Sequence, residues 1–489
     1  MLENPSPAGE AHGTTGTYRD WPQCGVGTVK YASQVADDVN RRLRRDAGFA
    51  AVSLLALAAP LLGRATVLPF LAVAGAAAFL IEDGPLFDLF ARPRDRQAGR
   101  LYGLAAFSLS AAVLAFLAAP PVAASYTMPL PAFAASVVAV GVGNLGATAV
   151  RDRFDEQFLV VSTFTVVAFL AALLAQLIVV ALASLPLVPM GVDAGLAAAP
   201  TFTFHAAMAA LVAALTRSML SPGDAGAVTF AVGASMLVVS GIAPAIHVLD
   251  VGLALGVALF LGILTYATGT ASVEGMLSGV LLCLVTIGLG GPGWFVLLLT
   301  FFGVGTLSTK FRYEEKADRG VAEENEGARG LGNVLGNAGI ALLAVVGYAA
   351  AGDLPMVDAD LFRLAFAGSL ATAMGDTLSS EIGGLFDTPR LVTTGERVPP
   401  GTDGAITWQG ELAGVVGSAV VGVLAVALLG VTRSPGVVVG LVTAGGLAGM
   451  TADSVLGATV EGDRLENETV NLLATLAGAL ASVLLAVLV

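Results

Sequence analysis

Apolar runs of about 15 to 28 residues recur along almost the whole chain, and they restrict the fold more than any other feature. A helix of that length crosses the hydrocarbon core of a bilayer, and it satisfies its backbone hydrogen bonds internally. We therefore predict an all-α, polytopic membrane protein with about 13–15 transmembrane helices. The predicted segments are 48–64, 66–82, 101–120, 130–149, 158–185, 201–217, 225–248, 251–268, 275–290, 293–308, 331–350, 361–375, 411–430, 434–451 and 470–489.

Composition supports the membrane class and excludes several functions. The 489 residues are 56% hydrophobic and 12% charged, whereas soluble domains carry about 25% charged residues. The net charge of −13 with few lysines resembles that of proteins from halophilic archaea, and it argues against a nucleic-acid partner, which needs a basic patch. The two cysteines lack metal-site spacing and the three histidines are scattered, so we predict neither a disulfide framework nor a Cys/His metal centre.

Basic clusters predict the orientation of the chain. "RRLRRD" precedes the first apolar segment, "ARPRDRQAGR" follows the second, and the loop 310–329 follows the tenth. All of them fall on one side of the membrane, which the positive-inside rule assigns to the cytoplasm. No segment resembles a signal peptide. We therefore predict a multi-pass protein of the cell membrane with a cytoplasmic N-terminus.

Three polar loops distinguish the second half of the chain, at residues 310–329, 376–409 and 452–469. Two predicted helices separate each loop from the next, so all three should converge on the cytoplasmic face. We predict three regions: a polar cytoplasmic tail at 1–46, an N-terminal transmembrane bundle of unknown role at 47–220, and a C-terminal transmembrane domain at 221–489.

Carboxylates at the ends of predicted spans suggest a metal site. Asp376 and Glu381 lie in "GDTLSSEIG", with Ser380 between them, and Asp453 ends a later span. Acidic residues at a membrane edge are costly and point to function, although solvated interfacial residues are the alternative. Mg²⁺ prefers one or two carboxylates with substrate phosphate. We therefore predict Asp376, Glu381 and Asp453 as catalytic, Mg²⁺-binding residues.

Basic and polar residues in the same loops suggest phosphate binding. Two of the three lysines, Lys310 and Lys316, lie in the first loop, and a compact ammonium group suits a phosphate oxygen. In the second loop "PPGTDG" predicts a turn with exposed backbone N–H groups, flanked by Arg390 and Arg397. Two pairs with i, i+4 spacing, which helix caps or an interhelical hydrogen bond would also explain, are Asn333 with Asn337 and Asn467 with Asn471.

These loops resemble a known family. "KFRYEEKADRGVAEENEGARGLGNVLGN", "GDTLSSEIG", "PRLVTTGERVPPGTDGAITWQGELAG" and "DSVLGATVEG" followed by "NETVNLLATLAGA" are similar to motifs of an integral-membrane family that includes the plastid phytyl-phosphate kinases and a poorly characterised animal transmembrane protein. The resemblance covers roughly residues 225–489, and nothing is recognised in the N-terminal half. It leads us to expect alanine before Asp376, where Gly375 stands, and we expect that change to matter little.

By this resemblance four motifs supply the site. The positions that match are Lys310, Lys316, Arg319, Glu324, Asn325, Arg329, Asn333 and Asn337 in the first, Asp376, Ser380 and Glu381 in the second, Arg390, Thr402, Asp403 and Gly404 in the third, and Asp453, Asn467 and Asn471 in the fourth.

The resemblance implies a membrane-embedded phosphotransferase that acts on an isoprenyl phosphate of the phytyl or geranylgeranyl type. It would use Mg²⁺ and CTP or another nucleoside triphosphate. One alternative is a CTP-dependent lipid cytidylyltransferase, which would release pyrophosphate. Another is a small-solute transporter, although a transporter would place its ionisable residues near the middle of the membrane.

Overall fold

The computed structural model describes the chain except residues 1–24, 120–126, 152, 155, 185–197, 221–223, 243–245, 269–271, 323–329, 353–356 and 462–463, and it describes only the backbone of 25–38 and 265–268. The regular elements of the N-terminal half are all helices in the described ranges. Its α-helices are α1 (Gly25–Ser53), α2 (Ala59–Leu62), α3 (Val67–Gly75), α4 (Gly84–Phe90), α5 (Pro93–Ala98), α6 (Tyr102–Ala118), α7 (Leu130–Arg151), α8 (Gln157–Ala183), α9 (Ala199–Met219) and α10 (Ala225–Ile242).

The described part of the C-terminal half adds nine α-helices and one short hairpin. These are α11 (Val248–Thr268), α12 (Val273–Val285), α13 (Pro292–Lys310), α14 (Tyr313–Asp318), α15 (Leu331–Ala351), α16 (Ala359–Gly383), α17 (Trp408–Leu428), α18 (Pro435–Gly457) and α19 (Asn467–Leu488), with antiparallel strands β1 (Arg390–Leu391) and β2 (Ala405–Ile406) between α16 and α17. Short 3₁₀ and π segments join or extend several helices, at Leu54–Ala58, Gly63–Thr66, Ala76–Leu80 and Thr286–Gly290.

Eleven helices in the described part of the chain are long and apolar enough to cross a membrane. The all-α, polytopic membrane class predicted from the apolar runs is therefore confirmed. Two shorter apolar helices, Tyr102–Ala118 and Val248–Leu264, and the less apolar α16 lie outside that group. Helix α1 begins at Gly25, within the tail predicted at 1–46.

The first apolar helical stretch, Val39–Leu80, is 42 residues long. A straight helix of that length would extend about 63 Å, twice the thickness of a hydrocarbon core. The backbone breaks at Gly63, whose φ of 52° lies in the region that favours glycine. This break falls at the end of the segment predicted at 48–64, just before the segment predicted at 66–82.

Helix α16 is the centre of the C-terminal half, where it contacts α13, α15, α17, α18 and α19. Residues 366–375 on it are all buried. Because these neighbours cover it, α16 needs less lipid-facing apolar surface than the helices around it. The helix therefore continues past the apolar run predicted at 361–375 and carries polar residues as far as Gly383.

Small residues allow α16, α18 and α19 to pack closely. A Cβ at Gly368 or Gly445 would overlap the Ser482 hydroxyl, and one at Gly478 would overlap Thr372. Both hydroxyl residues are buried. Close backbone approach at small residues stabilises helix pairs in membranes, where burial of apolar surface drives little association. This packing fixes the relative positions of the polar helix ends.

Candidate functional site

One cavity of about 630 Å³ collects residues from all three predicted polar loops. It lies where the first turns of α15 and α19 meet the last turns of α16 and α18. The predicted site residues that line it are Asn333, Asn337, Asp376, Ser380, Glu381, Thr402, Asp403, Gly404, Asp453, Asn467 and Asn471. The three loops therefore converge on one cavity in the structure. The side of the membrane that they face stays a prediction.

Asp376 and Asp453 form a pair of neighbouring carboxyl groups in the cavity. Asp376 lies near the end of α16 and Asp453 near the end of α18, and their side chains are within hydrogen-bonding distance. Oδ1 of Asp453 is buried and accepts no hydrogen bond from the described residues. Two carboxylates this close repel each other unless a proton or a cation lies between them.

The acidic character of the cavity extends beyond that pair. Glu461 also lines it, in the loop between α18 and α19. Burial, followed by the nearby charges of Asp403 and Asp453, raises the pKa of Glu461. The lining residues that the structure describes include five carboxyl groups and no lysine, arginine or histidine. An anionic substrate would therefore need cations here.

Glu381 is already paired within the protein. Its Oε1 accepts a hydrogen bond of 2.8 Å from Thr309 Oγ1, and its Oε2 accepts one from Lys316 Nζ. Lys316 is 1% exposed and also donates to the backbone oxygens of Ser308, at 3.0 Å, and Thr309, at 2.7 Å. An ammonium group has three N–H donors, so all three of those of Lys316 are used. The predicted phosphate contact of Lys316 would require this arrangement to open.

The two predicted asparagine pairs lie side by side. Gly336 on α15 lies so close to α19 that a Cβ on it would come within 2.7 Å of the backbone oxygen of Glu468. At the same crossing Thr475 Oγ1 donates to the Gly336 oxygen at 3.3 Å. Asn337 Nδ2 donates to the backbone oxygen of Asn333 at 2.9 Å, within α15. The cavity is therefore walled on this side by asparagine amides of both helices.

The "PPGTDG" turn docks against the end of α18. Gly404 has a φ of 70°, and a Cβ on it would overlap the Ser454 oxygen and the Ala458 nitrogen. Thr402 Oγ1 donates to the Pro399 oxygen at 2.8 Å. Both the positive φ and the close backbone contact require glycine at position 404.

The predicted basic residues that the structure describes are not among the lining residues of the cavity. Lys310 is exposed at the end of α13. Arg390, the first residue of β1, and Arg397 are also exposed, and Arg390 Nη1 donates to the backbone oxygen of Gly395 at 2.7 Å. Arg319 joins the first and second loops through a 2.6 Å ion pair with Asp387. Three further predicted residues, Glu324, Asn325 and Arg329, lie outside the described residues.

The predicted site did not include four hydroxyl residues that line the cavity, Thr377, Ser379, Thr407 and Ser454. Thr407 caps α17 by accepting a hydrogen bond of 3.1 Å from the Gly410 nitrogen, and a threonine before an apolar run is a recognisable cap signal. A Cβ at position 375 would come within 2.5 Å of Met450 Sδ and 2.7 Å of Ser418 Oγ, so Gly375 lies at a tight helix contact. The expectation that glycine there matters little stays a prediction.

Known proteins match the C-terminal half. The model of the family "Integral membrane protein DUF92" matches residues 256–479. An uncharacterized membrane protein of Methanocaldococcus jannaschii is 38% identical over 218 residues, which are 43% of this chain and 84% of that protein. The chloroplastic protein VTE6 of Arabidopsis thaliana is 33% identical over 221 residues, 44% of this chain and 65% of that protein.

A second Arabidopsis thaliana protein, PGR, is 33% identical over 183 residues, 34% of this chain and 63% of that protein. No solved structure gives a significant match. The family match begins at residue 256, so the N-terminal bundle predicted at 47–220 lies outside it.

Proposed function

The chain belongs to the integral membrane protein family DUF92, and on that premise we propose that it is a membrane-embedded phosphotransferase. It transfers a phosphoryl group from CTP or another nucleoside triphosphate to an isoprenyl monophosphate of the phytyl or geranylgeranyl type, with Mg²⁺. This membership confirms the family that the four sequence motifs predicted, and the same family includes the plastid phytyl-phosphate kinases. Substrate, nucleotide and metal are our proposal.

The observation that carries the proposal is the carboxylate pair. Asp376 and Asp453 come from different helices and meet in one cavity with a buried oxygen that has no described partner. An arrangement made only for stability would pair such an oxygen with a donor. Hard carboxylate oxygens next to asparagine amides and hydroxyl groups are typical of a site for a hydrated divalent cation that carries phosphate.

The donor set fits Mg²⁺ better than a metal that needs a full protein cage. The described residues contain no cluster of three or more His, Cys, Asp or Glu side chains arranged to hold a metal ion. Mg²⁺ takes one or two carboxylates and completes its shell with water and substrate phosphate. Asp376 and Asp453 would hold it, and the ion would neutralise charge on the nucleotide phosphates.

The chemistry also requires no general base. A phosphate monoester is largely dianionic at neutral pH, because its second pKa is about 6. Its oxygen can therefore attack the terminal phosphorus of the nucleotide without losing a proton to the protein. The protein then needs to position two anions and offset their charge, which agrees with a described lining that has carboxylates, amides and hydroxyls but no histidine or cysteine.

The apolar acceptor chain has a direct route to such a site. The cavity lies at one end of a helix bundle rather than at mid-length, since the lining residues occupy terminal turns of α15, α16, α18 and α19. A lipid phosphate at the membrane surface would enter there with its hydrocarbon chain still in the bilayer. A transporter would instead place such groups near the membrane midplane.

Product analysis tests the proposal. Purified protein in detergent or nanodiscs is incubated with Mg²⁺, phytyl or geranylgeranyl monophosphate and one nucleoside triphosphate at a time, labelled on its γ-phosphate. We expect a labelled isoprenyl diphosphate and the nucleoside diphosphate. Release of pyrophosphate together with a cytidylated lipid would establish the cytidylyltransferase instead, and no conversion with any nucleotide would refute both enzymes.

A further inference from the structure

A second cavity, of about 500 Å³, lies in the N-terminal half, outside the family match. Its arginines come from well-separated parts of the chain. Arg42 and Arg45 lie on α1, Arg92 precedes α5, Arg151 ends α7, and Arg217 lies in the last turn of α9. This cavity is independent of the phosphotransferase site proposed above.

Two of these arginines are held in fixed orientations. Arg217 Nε donates to Asn144 Oδ1 at 2.9 Å, and its guanidinium lies 5.0 Å from the centre of the Phe164 ring. The Arg92 guanidinium lies 5.0 Å from the centre of the Phe49 ring. Both side chains are half-buried. Stacking on an aromatic face orients a guanidinium group while leaving N–H donors at its edge.

Positive charge dominates among the described residues of the cavity. These lining residues include five arginines and two aspartates, Asp46 and Asp224, an excess of three positive charges. Asp46 is itself engaged by Arg45 Nε at 3.0 Å and by Thr148 Oγ1 at 2.5 Å. Burial, followed by repulsion from Arg45, lowers the pKa of Arg92, against the opposing attraction of Asp46, Asp95 and Asp224. Gathering these charges is costly unless an anion offsets them.

Membrane topology alone does not explain this arrangement. The positive-inside rule accounts for arginines at helix ends on one side of a membrane. It requires neither that they face one concave cavity nor that aromatic rings fix their planes. The other described lining residues include the polar side chains of Asn144, Thr148, Gln157 and Ser218. An apolar part of the wall contains Phe154, Val160 and Leu220.

We infer that this cavity binds the phosphate group of an organic phosphate. Guanidinium groups bind phosphate oxygens through paired N–H donors, and the apolar wall would receive the adjoining hydrocarbon. The volume lies in the range of cavities that hold a small molecule or a lipid headgroup. The ligand chemistry is a phosphate ester, either on a membrane lipid or free in solution.

The test compares probes that differ in the phosphate group alone. Full-length protein is delipidated in detergent, and binding of phosphatidic acid, of diacylglycerol with the same acyl chains and of inorganic phosphate is measured by native mass spectrometry and thermal shift. We expect phosphatidic acid to bind at least about tenfold more tightly than diacylglycerol. Inorganic phosphate binding as tightly as phosphatidic acid would support a phosphate site whose ligand is soluble.

The variant R42Q/R151Q locates the binding. Both arginines are exposed, so their replacement should leave the fold intact, which the unfolding temperature checks. The matched control is Arg64→Gln, since Arg64 is exposed and does not line the cavity. We expect the double variant to weaken phosphatidic acid binding at least about tenfold and the control to leave it unchanged. Equal binding of phosphatidic acid and diacylglycerol, or an unaffected double variant, would overturn the inference.

Discussion

Lys316 Nζ donates to the Glu381 carboxylate and to two backbone oxygens at the end of α13, and both side chains are almost fully buried. The pair therefore ties α14 to α13 and to the end of α16. The sequence predicts that Lys316 contacts a nucleotide phosphate and that Glu381 binds a metal ion, and both roles stay predictions. Their geometry indicates a structural role that can be tested separately.

Replacement of Lys316 by Gln should lower the free energy of unfolding by about 3–5 kcal/mol, because Glu381 would be left buried without a positive charge. The measurement is reversible unfolding in mixed detergent. Combining Lys316→Gln with Glu381→Gln should recover part of the loss. Lys310→Gln is the matched control, since Lys310 is exposed, and it should change stability by no more than about 0.5 kcal/mol.

The exposed ion pair between Arg319 and Asp387 offers a contrast. Asp387 is 83% exposed, and pairs of this kind contribute only about 0–1 kcal/mol. If Lys316→Gln proved as harmless as Arg319→Gln, the structural role of Lys316 would be wrong. If the double variant at 316 and 381 were stable but its nucleotide use fell about tenfold, a role of this pair in nucleotide use would be supported, through the phosphate contact of Lys316 or the metal contact of Glu381.

Asp376→Asn should abolish Mg²⁺-dependent turnover while leaving stability unchanged or higher. The substitution keeps the shape of the side chain but removes one of two neighbouring negative charges, and it therefore relieves repulsion with Asp453. Activity is measured against Mg²⁺ concentration, and stability by thermal unfolding. Asp387→Asn is the control, because Asp387 is exposed and lies outside the cavity lining. Near-normal turnover in Asp376→Asn would show that Asp376 is only an interfacial residue.

Gly404→Ala should impair both stability and activity more than Gly395→Ala does. The two glycines have nearly the same φ, 70° and 73°, so alanine adds a similar backbone strain of about 1–2 kcal/mol at each. Only Gly404 also contacts the backbone of α18, whereas a Cβ at Gly395 would meet nothing within 4 Å. Unfolding temperatures and initial rates of both variants measure the difference. Equal effects would mean that docking of the turn on α18 is unimportant.

The predicted cytoplasmic N-terminus can be tested with the natural cysteines. Cys283 is buried, so a membrane-impermeant maleimide should report on Cys24. We expect labelling only after the cells are lysed, since the basic clusters place the N-terminus inside. A Cys24→Ser variant supplies the background. Labelling of Cys24 in intact cells would reverse the orientation and place the proposed site on the outer face.

The membrane class and much of the cavity lining were predictable from local sequence. Lipid forces each apolar run to satisfy its own backbone hydrogen bonds, so the runs alone predict helices. The i, i+4 spacing likewise puts Asn333 and Asn337 on one face of α15. The end of α16 was not predictable from hydropathy. Shielding by five neighbouring helices lets α16 carry Asp376 and Glu381 beyond its apolar run.

Which side chains pair with each other was decided by the tertiary structure alone. Nothing in the chain near Lys316 distinguishes it from Lys310, six residues earlier. Lys316 is buried because α14 folds back onto α13 and the end of α16, which brings it to Glu381, 65 positions away. Asp376 and Asp453 meet because glycines let α16 and α18 approach closely. Hydropathy and helix period act between neighbours in the sequence, whereas ion pairing and the sharing of a cavity depend on distances that only helix packing sets.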